Sequence, residues 1–338
     1  MRTYLQGDWS KFAGTIVCSQ GSSGDFTFDN TYGMPLATLN VASGCTVRNN
    51  KNVNTKIAAA VGSGTLGGDH GWTIGNDSEE VNRFGGTILG SLTKVGRNTL
   101  QLSGVSTFSG AFLVNGGKVI VANTNATKSA TGGNAMYLNA GTELSGCGYI
   151  GNSRLYIRKD ALFTPGLYNT GTLTVASAIT LDEGGVIAWR LNGNGLTITL
   201  KEVKSMTLNG TLRVTLKDSY TPALGDSFTL WNCKKVQEDS APTLELPELP
   251  EGLAWDTTEL LTTTGTLRVT DATGLRLTTW DEPVKAAVYT LDGVLVDAFN
   301  CAYNQVGETL NCTSLPAGLY IIRMEGANGN GAVKMMKN

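Results

Sequence analysis

Histidine is nearly missing from this chain of 338 residues; the only one is His70. A multi-histidine zinc site is therefore excluded within the chain, and no CxxC or Cys/His cluster replaces it. Proline is scarce at 8, and charged residues make up 16%, against roughly 25% in ordinary globular proteins. Lys and Arg (26) nearly balance Asp and Glu (28), giving a net charge of −2 and no basic stripe. That balance removes the electrostatic case for nucleic acid or an anionic membrane surface as partner. No apolar run approaches the roughly 18 residues needed to span a bilayer, so no membrane insertion is expected. The opening Met1-Arg2-Thr3-Tyr4-Leu5-Gln6-Gly7-Asp8-Trp9 lacks the apolar centre of a signal peptide and reads like the middle of a coil. A leader or an upstream portion is accordingly expected to be absent from this chain.

Helical periodicity is missing too. No stretch longer than a turn or two places apolar residues at i, i+3, i+4 and i+7, whereas Thr99-Leu100-Gln101-Leu102 and Leu212-Arg213-Val214-Thr215-Leu216 alternate with period two. The chain is therefore expected to be all-β. What it has in abundance is glycine, at 43, and a recurring phrase. Gly-Thr-Leu or Gly-Thr-Ile stands at Gly14, Gly64, Gly86, Gly171, Gly210 and Gly265, each time opening a short run of β-formers. Recurrence at loose intervals of roughly 20–50 residues marks a stacked repeat in which each copy forms one coil.

Up to about Leu200 short runs such as Thr87–Leu92, Phe112–Val114, Lys118–Ala122, Arg154–Ile157 and Val186–Leu191 are separated by Gly/Asn/Ser turns. Strands this short bury a face only when stacked. Asn115, Asn123, Asn139 and Asn192 lie at the ends of such runs, where a tight corner asks for a left-handed backbone. The pattern predicts a right-handed parallel β-helix over residues 1–200, with an antiparallel sandwich as the competing arrangement. Over residues 201–272 the runs lengthen and Pro242, Pro247 and Pro250 intervene, which predicts an end cap or an antiparallel extension with Trp231 and Trp255 as its large buried residues. A small antiparallel β-sandwich is expected over residues 273–338. Of the six cysteines, Cys301 and Cys312 flank an expected hairpin and are candidates for a disulfide across it, while Cys147, between two glycines, is read as a small buried thiol.

Two segments carry family resemblances. Residues 96–122, with Leu100, Leu102, Ser103, Gly104, Phe108, Ser109, Gly110, Val114, Asn115, Gly116, Gly117 and Val119, resemble the autotransporter-associated β-strand repeat of secreted bacterial β-helix passengers. The continuation through Gly141-Thr142, Leu144, Gly148–Gly151, a Thr164-Pro165-Gly166 turn and Gly171–Val175 is similar to the same passengers. That resemblance implies a β-helix exported to the cell surface, through a repeat that is structural and carries no catalytic residue. At the other end, Tyr289, Gly293, Leu315, Pro316, Gly318, Tyr320, Lys334 and Lys337 follow the order found in the C-terminal sorting domain of Bacteroidetes type IX secretion substrates. This second resemblance implies that the tail is read by the secretion machinery and that the protein is secreted or held at the outer cell surface.

Chemistry is harder to locate. A polysaccharide-degrading β-helix needs clustered carboxylates to hold Ca²⁺ or to act as acid and base. The densest acidic group is Asp77, Glu79 and Glu80, near Arg83 and downstream of Asp69-His70; it is a weak metal or sugar candidate set against a plain solvated loop. Asp25 and Asp29 bracket Phe26-Thr27-Phe28, and Asp182-Glu183 reads as a turn. No Gly-x-Ser-x-Gly elbow or P-loop occurs, and no cofactor is expected. Asn/Ser/Thr ladders suit either weak multivalent glycan binding or the solenoid's own stacking. The expected function is a non-catalytic adhesin-like or display module at the cell surface, with the secretion machinery and glycans as partners. The alternatives are the non-catalytic C-terminal part of a carbohydrate-active β-helix enzyme and a purely structural spacer. An exposed aromatic or Asn/Thr ladder would favour the adhesin, and carboxylates converging from adjacent coils would favour the enzyme.

Overall fold

A computed structural model describes residues 3–19, 25–50, 55–108, 110–166, 171–193, 200–217, 220–272, 283–302, 305–326 and 329–337. Ser109 of the repeat-like segment and residues 273–282, where the last segment is expected to begin, lie outside them.

The larger unit is a parallel β-solenoid with three faces. The first face stacks Thr15–Cys18, Met34–Val41, Thr55–Gly62, Val81–Phe84, Thr99–Leu102, Gly117–Val121, Thr142–Gly146, Leu162–Pro165, Val186–Leu191, Thr211–Leu216 and Thr243–Glu245. The second face stacks Trp72–Ile74, Leu92–Lys94, Phe112–Val114, Met136–Leu138, Arg154–Ile157, Ala178–Leu181 and Ser205–Leu208. The third face is broken into two sheets. One ends at Thr87–Ile88 and the other begins at Tyr149–Ile150.

Each face buries alternate residues in lines that run from coil to coil. Trp72, Leu92, Phe112, Met136, Leu155, Ile179 and Met206 follow one another in register on the second face, and all are fully buried. Burying such a side chain contributes about 1.5–3 kcal/mol, so each coil adds core that it cannot make alone. The recurring Gly-Thr phrase has its cause here. A Cβ on Gly86 would meet the Gly64 carbonyl oxygen of the coil before, and Thr87 donates its N–H to that same oxygen at 3.0 Å. Only glycine lets the chain close onto its predecessor at that corner.

Several expectations are corrected. Parallel pairing does not stop near residue 200; Thr211–Leu216 and Thr243–Glu245 continue the first face. The alternation in those runs is the same for parallel and antiparallel strands, so it could not mark the boundary. The corner asparagines do not supply left-handed backbone. Among the described non-glycine residues only Asp160 and Glu202 have positive φ. The asparagine amides bond the neighbouring corner instead: Asn123 accepts from the Tyr149 N–H at 2.8 Å and donates to the Lys128 carbonyl at 2.8 Å. The Thr164-Pro165-Gly166 turn is the end of a strand, Leu162–Pro165. Cys147 is exposed, because it sits on a corner with its N–H held at 3.0 Å by the Val121 carbonyl.

Near the end of the solenoid Trp231 is fully buried, 5.7 Å from Trp189, and its indole N–H donates to the Thr262 carbonyl at 3.0 Å. Trp255 is only half-buried, on the strand Leu253–Asp256 that pairs antiparallel with Thr266–Asp271.

The smaller unit holds a four-stranded antiparallel sheet, in the order Leu295–Ala302, Pro283–Tyr289, Gly318–Gly326, Gly329–Lys337. Val284, Ala286, Val288, Ile322 and Met324 form its core with Val306 and Leu310 of a short helix, Val306–Asn311. Among the described residues the sheet has fewer strands than the seven or so of the expected sandwich, and this helix supplies part of the cover. No helix among the described residues is long and apolar enough to cross a membrane.

Candidate functional site

On the second face the outward residues form a second set of lines. Thr73, Thr93, Leu113, Tyr137, Tyr156, Thr180 and Thr207 are in register, one per coil, and all are partly exposed. Tyr137 and Tyr156 stack with centroids 4.8 Å apart and planes 3° from parallel. The spacing is the roughly 4.8 Å between neighbouring strands, so the solenoid itself sets the stack. Arg158 lies over the Tyr137 ring at 4.6 Å and Arg154 over the Tyr156 ring at 5.8 Å. The Arg158 guanidinium donates to Asn139 Oδ1 at 2.9 Å, and Asn139 donates in turn to Asn115 Oδ1 at 2.5 Å. The Arg154 guanidinium donates to Thr180 Oγ1 at 3.0 Å. Neither arginine has a carboxylate partner among the described residues.

Around the corner, where the third face is interrupted, an open groove of about 750 Å³ takes the place of the missing strands. Thr107, Phe108, Thr127, Lys128, Asn134 and Tyr149 are among its walls, and Lys128 is the one charged side chain among the described residues lining it. Stacking continues beneath it without regular strands. Ser106 donates its N–H to the Ser129 carbonyl at 2.9 Å, and Gly151 donates to Ser129 Oγ at 3.0 Å. Asn152, almost fully buried, donates to the Thr131 and Asn134 carbonyls at 2.8 and 2.5 Å and accepts from the Thr131 hydroxyl. Gly132 has φ +73°, and a Cβ there would press on the Phe108 ring. Groove and outward tyrosines are joined by sequence: Asn134 shortly precedes Tyr137, and Gly151 shortly precedes Arg154 and Tyr156.

The residues singled out from sequence lie elsewhere. Asp77, Glu79 and Glu80 are exposed on one loop; Glu79 meets Arg97 at 3.5 Å, with both side chains more than two-thirds exposed. Arg97 also donates to the Asp77 backbone carbonyl at 2.8 Å. Such a pair contributes little in water. Among the described residues no three His, Cys, Asp or Glu converge to hold an ion. Asp25 binds Arg48 at 3.0 Å and the Thr46 N–H at 2.8 Å, and Asp29 accepts from Gln6 at 2.8 Å, so both tie one coil to another. Asp182-Glu183 is a turn, closed by a 3.0 Å bond from the Gly185 N–H to the Asp182 carbonyl.

In the smaller unit Tyr289 ends a strand and Gly293, with φ +87°, sits in the turn that follows. Tyr320 is buried and donates its hydroxyl to the Pro316 carbonyl at 2.8 Å, with Leu315 packed on the same core. Gly318 opens the strand that pairs with the last one, where Lys334 is exposed and Lys337 is buried. Lys337 donates to the Asn311 carbonyl at 2.9 Å, closing the C-terminus of the short helix. Cys301 and Cys312 are not bridged. Cys301 packs against the core, whereas Cys312 is exposed just beyond the helix that separates them.

Sequence reading missed Tyr137, Tyr156, Arg154, Arg158 and the groove. A signal existed in the matched apolar-Tyr-apolar triplets Met136-Tyr137-Leu138 and Leu155-Tyr156-Ile157, which become visible once the coil length is known. In comparison with known proteins, no family model and no curated sequence matches the chain.

Proposed function

We propose that this chain is a non-catalytic, glycan-binding β-solenoid displayed at the cell surface, with its C-terminal unit serving the secretion machinery as a sorting signal. The observation that carries the binding reading is the outward Thr/Tyr line on the second face, which offers hydroxyls, aromatic edges and guanidinium donors in one regular array. Weak contacts repeated coil after coil add to useful avidity on a repeating polymer. The neighbouring groove offers hydroxyls and amides, and its described walls bring no carboxylate pair for acid–base cleavage. That arrangement favours binding over cleavage by this chain; the rival reading, the non-catalytic part of a polysaccharide-degrading enzyme, shares it.

For export, the support is the order of the motif residues and a unit with a core of its own. Leu319 and Met336, in register on the last two strands, are also exposed, as are Leu291, Val294 and Leu295. Binding is tested on an array of plant, mucin and bacterial glycans with and without Ca²⁺, followed by product analysis of each hit. Retention without cleavage is the expected result; cleavage would establish the enzyme instead, and silence throughout would leave a spacer. Removing residues 273–338 is expected to strand the protein in the periplasm, and normal display after that deletion would refute the sorting role.

A further inference from the structure

Resting on the glycan-binding reading, we infer that Arg154 and Arg158, set on the Tyr137–Tyr156 stack, form a subsite for the anionic groups of an acidic polysaccharide, the carboxylates or sulfates carried by its sugars. Each guanidinium has five N–H donors in a planar fork. Each is oriented by a single neutral acceptor, Asn139 for Arg158 and Thr180 for Arg154, and each is braced against a tyrosine ring. The remaining donors match the two oxygens of a carboxylate or sulfate. Because the rings are locked in register by the strands beneath, little side-chain freedom remains to be lost on binding.

The charge around the two arginines is mixed: Lys159 follows Arg158, Asp160 stands in the same corner run, and Asp182 and Glu183 lie on the next coil's corner, whose Gly184 carbonyl accepts from the Asp160 N–H at 2.9 Å. Glu143 on the first face is neutralised by Lys118 at 2.6 Å, so the assignment rests on the orientation of the guanidiniums rather than on net charge. The line continues beyond Leu113 as Thr93 and Thr73 and on the other side as Thr180 and Thr207, a flat run of hydroxyls one strand apart that suits the repeating hydroxyls of a sugar polymer lying along the face. Lys128 in the adjoining groove adds a further cation.

The test is affinity electrophoresis of the full chain through gels containing polygalacturonate, dextran sulfate or neutral dextran, with polyglutamate as the acidic peptide. The expected result is retardation by polygalacturonate, dextran sulfate or both, weakening with salt, and lost at least tenfold in the double variant Arg154→Gln/Arg158→Gln. The charge-retaining Arg154→Lys/Arg158→Lys pair is expected to fall between, since it keeps the charge and loses the fork. Circular dichroism and thermal unfolding establish that both variants are folded. Equal retardation of wild type and the Gln variant, or equal retardation by polyglutamate, would overturn the inference. Binding to neutral glycans alone, unchanged in the variant, would overturn this subsite and leave the glycan-binding reading standing. Failure to bind any sugar polymer, acidic or neutral, would remove both.

Discussion

Lys94 lies fully buried on an inner line of the solenoid, between Ile74 and Val114, and its ammonium reaches the Gly116 carbonyl of the next coil at 3.2 Å. Two further carbonyls, those of Val95 and Gly96, accept from it at 2.6 and 3.1 Å. Burial pulls its pKa down to about 8 from 10.5, although Asp77 pulls the other way. A lysine depressed in the folded state is charged in both states below about pH 8, so its cost is then fully present. Between that value and 10.5 the unfolded chain binds the extra proton, and stability should rise with pH. Relative to Lys94→Met, wild type is expected to gain about 2 kcal/mol over that range. Urea unfolding of both proteins at pH 7.5, 9 and 10 measures the difference, and parallel curves would refute the role given to Lys94.

Gly86→Ala is expected to cost about 2 kcal/mol, since the new methyl group meets the Gly64 carbonyl across the coil boundary. Gly133→Ala, which meets nothing within 4 Å, is the control and should be near neutral. Thermal or urea unfolding distinguishes the two, and equal effects would show that close coil approach is not what selects glycine.

Asn82 occupies an inward position in register with Leu100, and its buried side-chain amide nitrogen has no hydrogen-bond partner among the described residues. Replacing it with leucine removes that unmet donor, and stability is expected to rise by about 1 kcal/mol. A lower unfolding midpoint for Asn82→Leu would show that the amide is satisfied in solution.

Cys18 and Cys45 are both buried and their thiols touch; burial foremost, then the Cys45 thiol, pushes Cys18 up to about 12. Folding in the presence of glutathione disulfide is expected to join them. Two thiols give up two electrons and two protons, and two molecules of reduced glutathione form. The link would enclose the second coil and add about 3 kcal/mol. Peptide mapping after alkylation reads the result in a Cys147→Ser/Cys301→Ser/Cys312→Ser background; recovery of both cysteines alkylated would show that they stay reduced.

The coil-forming logic was open to reading because it depends on short-range necessity. A glycine that must clear a carbonyl of the preceding coil recurs at the corners, so Gly64, Gly86 and Gly210 stand immediately before strands. The helix Val306–Asn311 was hidden because six residues, one of them glycine, carry no helical period. Lys94 and Asn82 were hidden because polar residues on inward positions contradict the alternation used to find those positions. The candidate site was less legible still. Tyr137 and Tyr156 become neighbours only through the register of two coils, and the groove arises from strands that are missing, which composition does not announce.

The interruption of the third face separates two kinds of constraint. From Thr99 to Thr142 the other two faces keep unbroken register, so the core is already determined without the corner that carries the groove. Exposed positions of that corner that stand outside the bonds of Ser129, Thr131 and Asn152, such as Thr127 and Lys128, can change chemistry while the stack beneath stays fixed. The molecule thus has one address at which evolution, or a designer, can exchange the recognition surface without rewriting the scaffold.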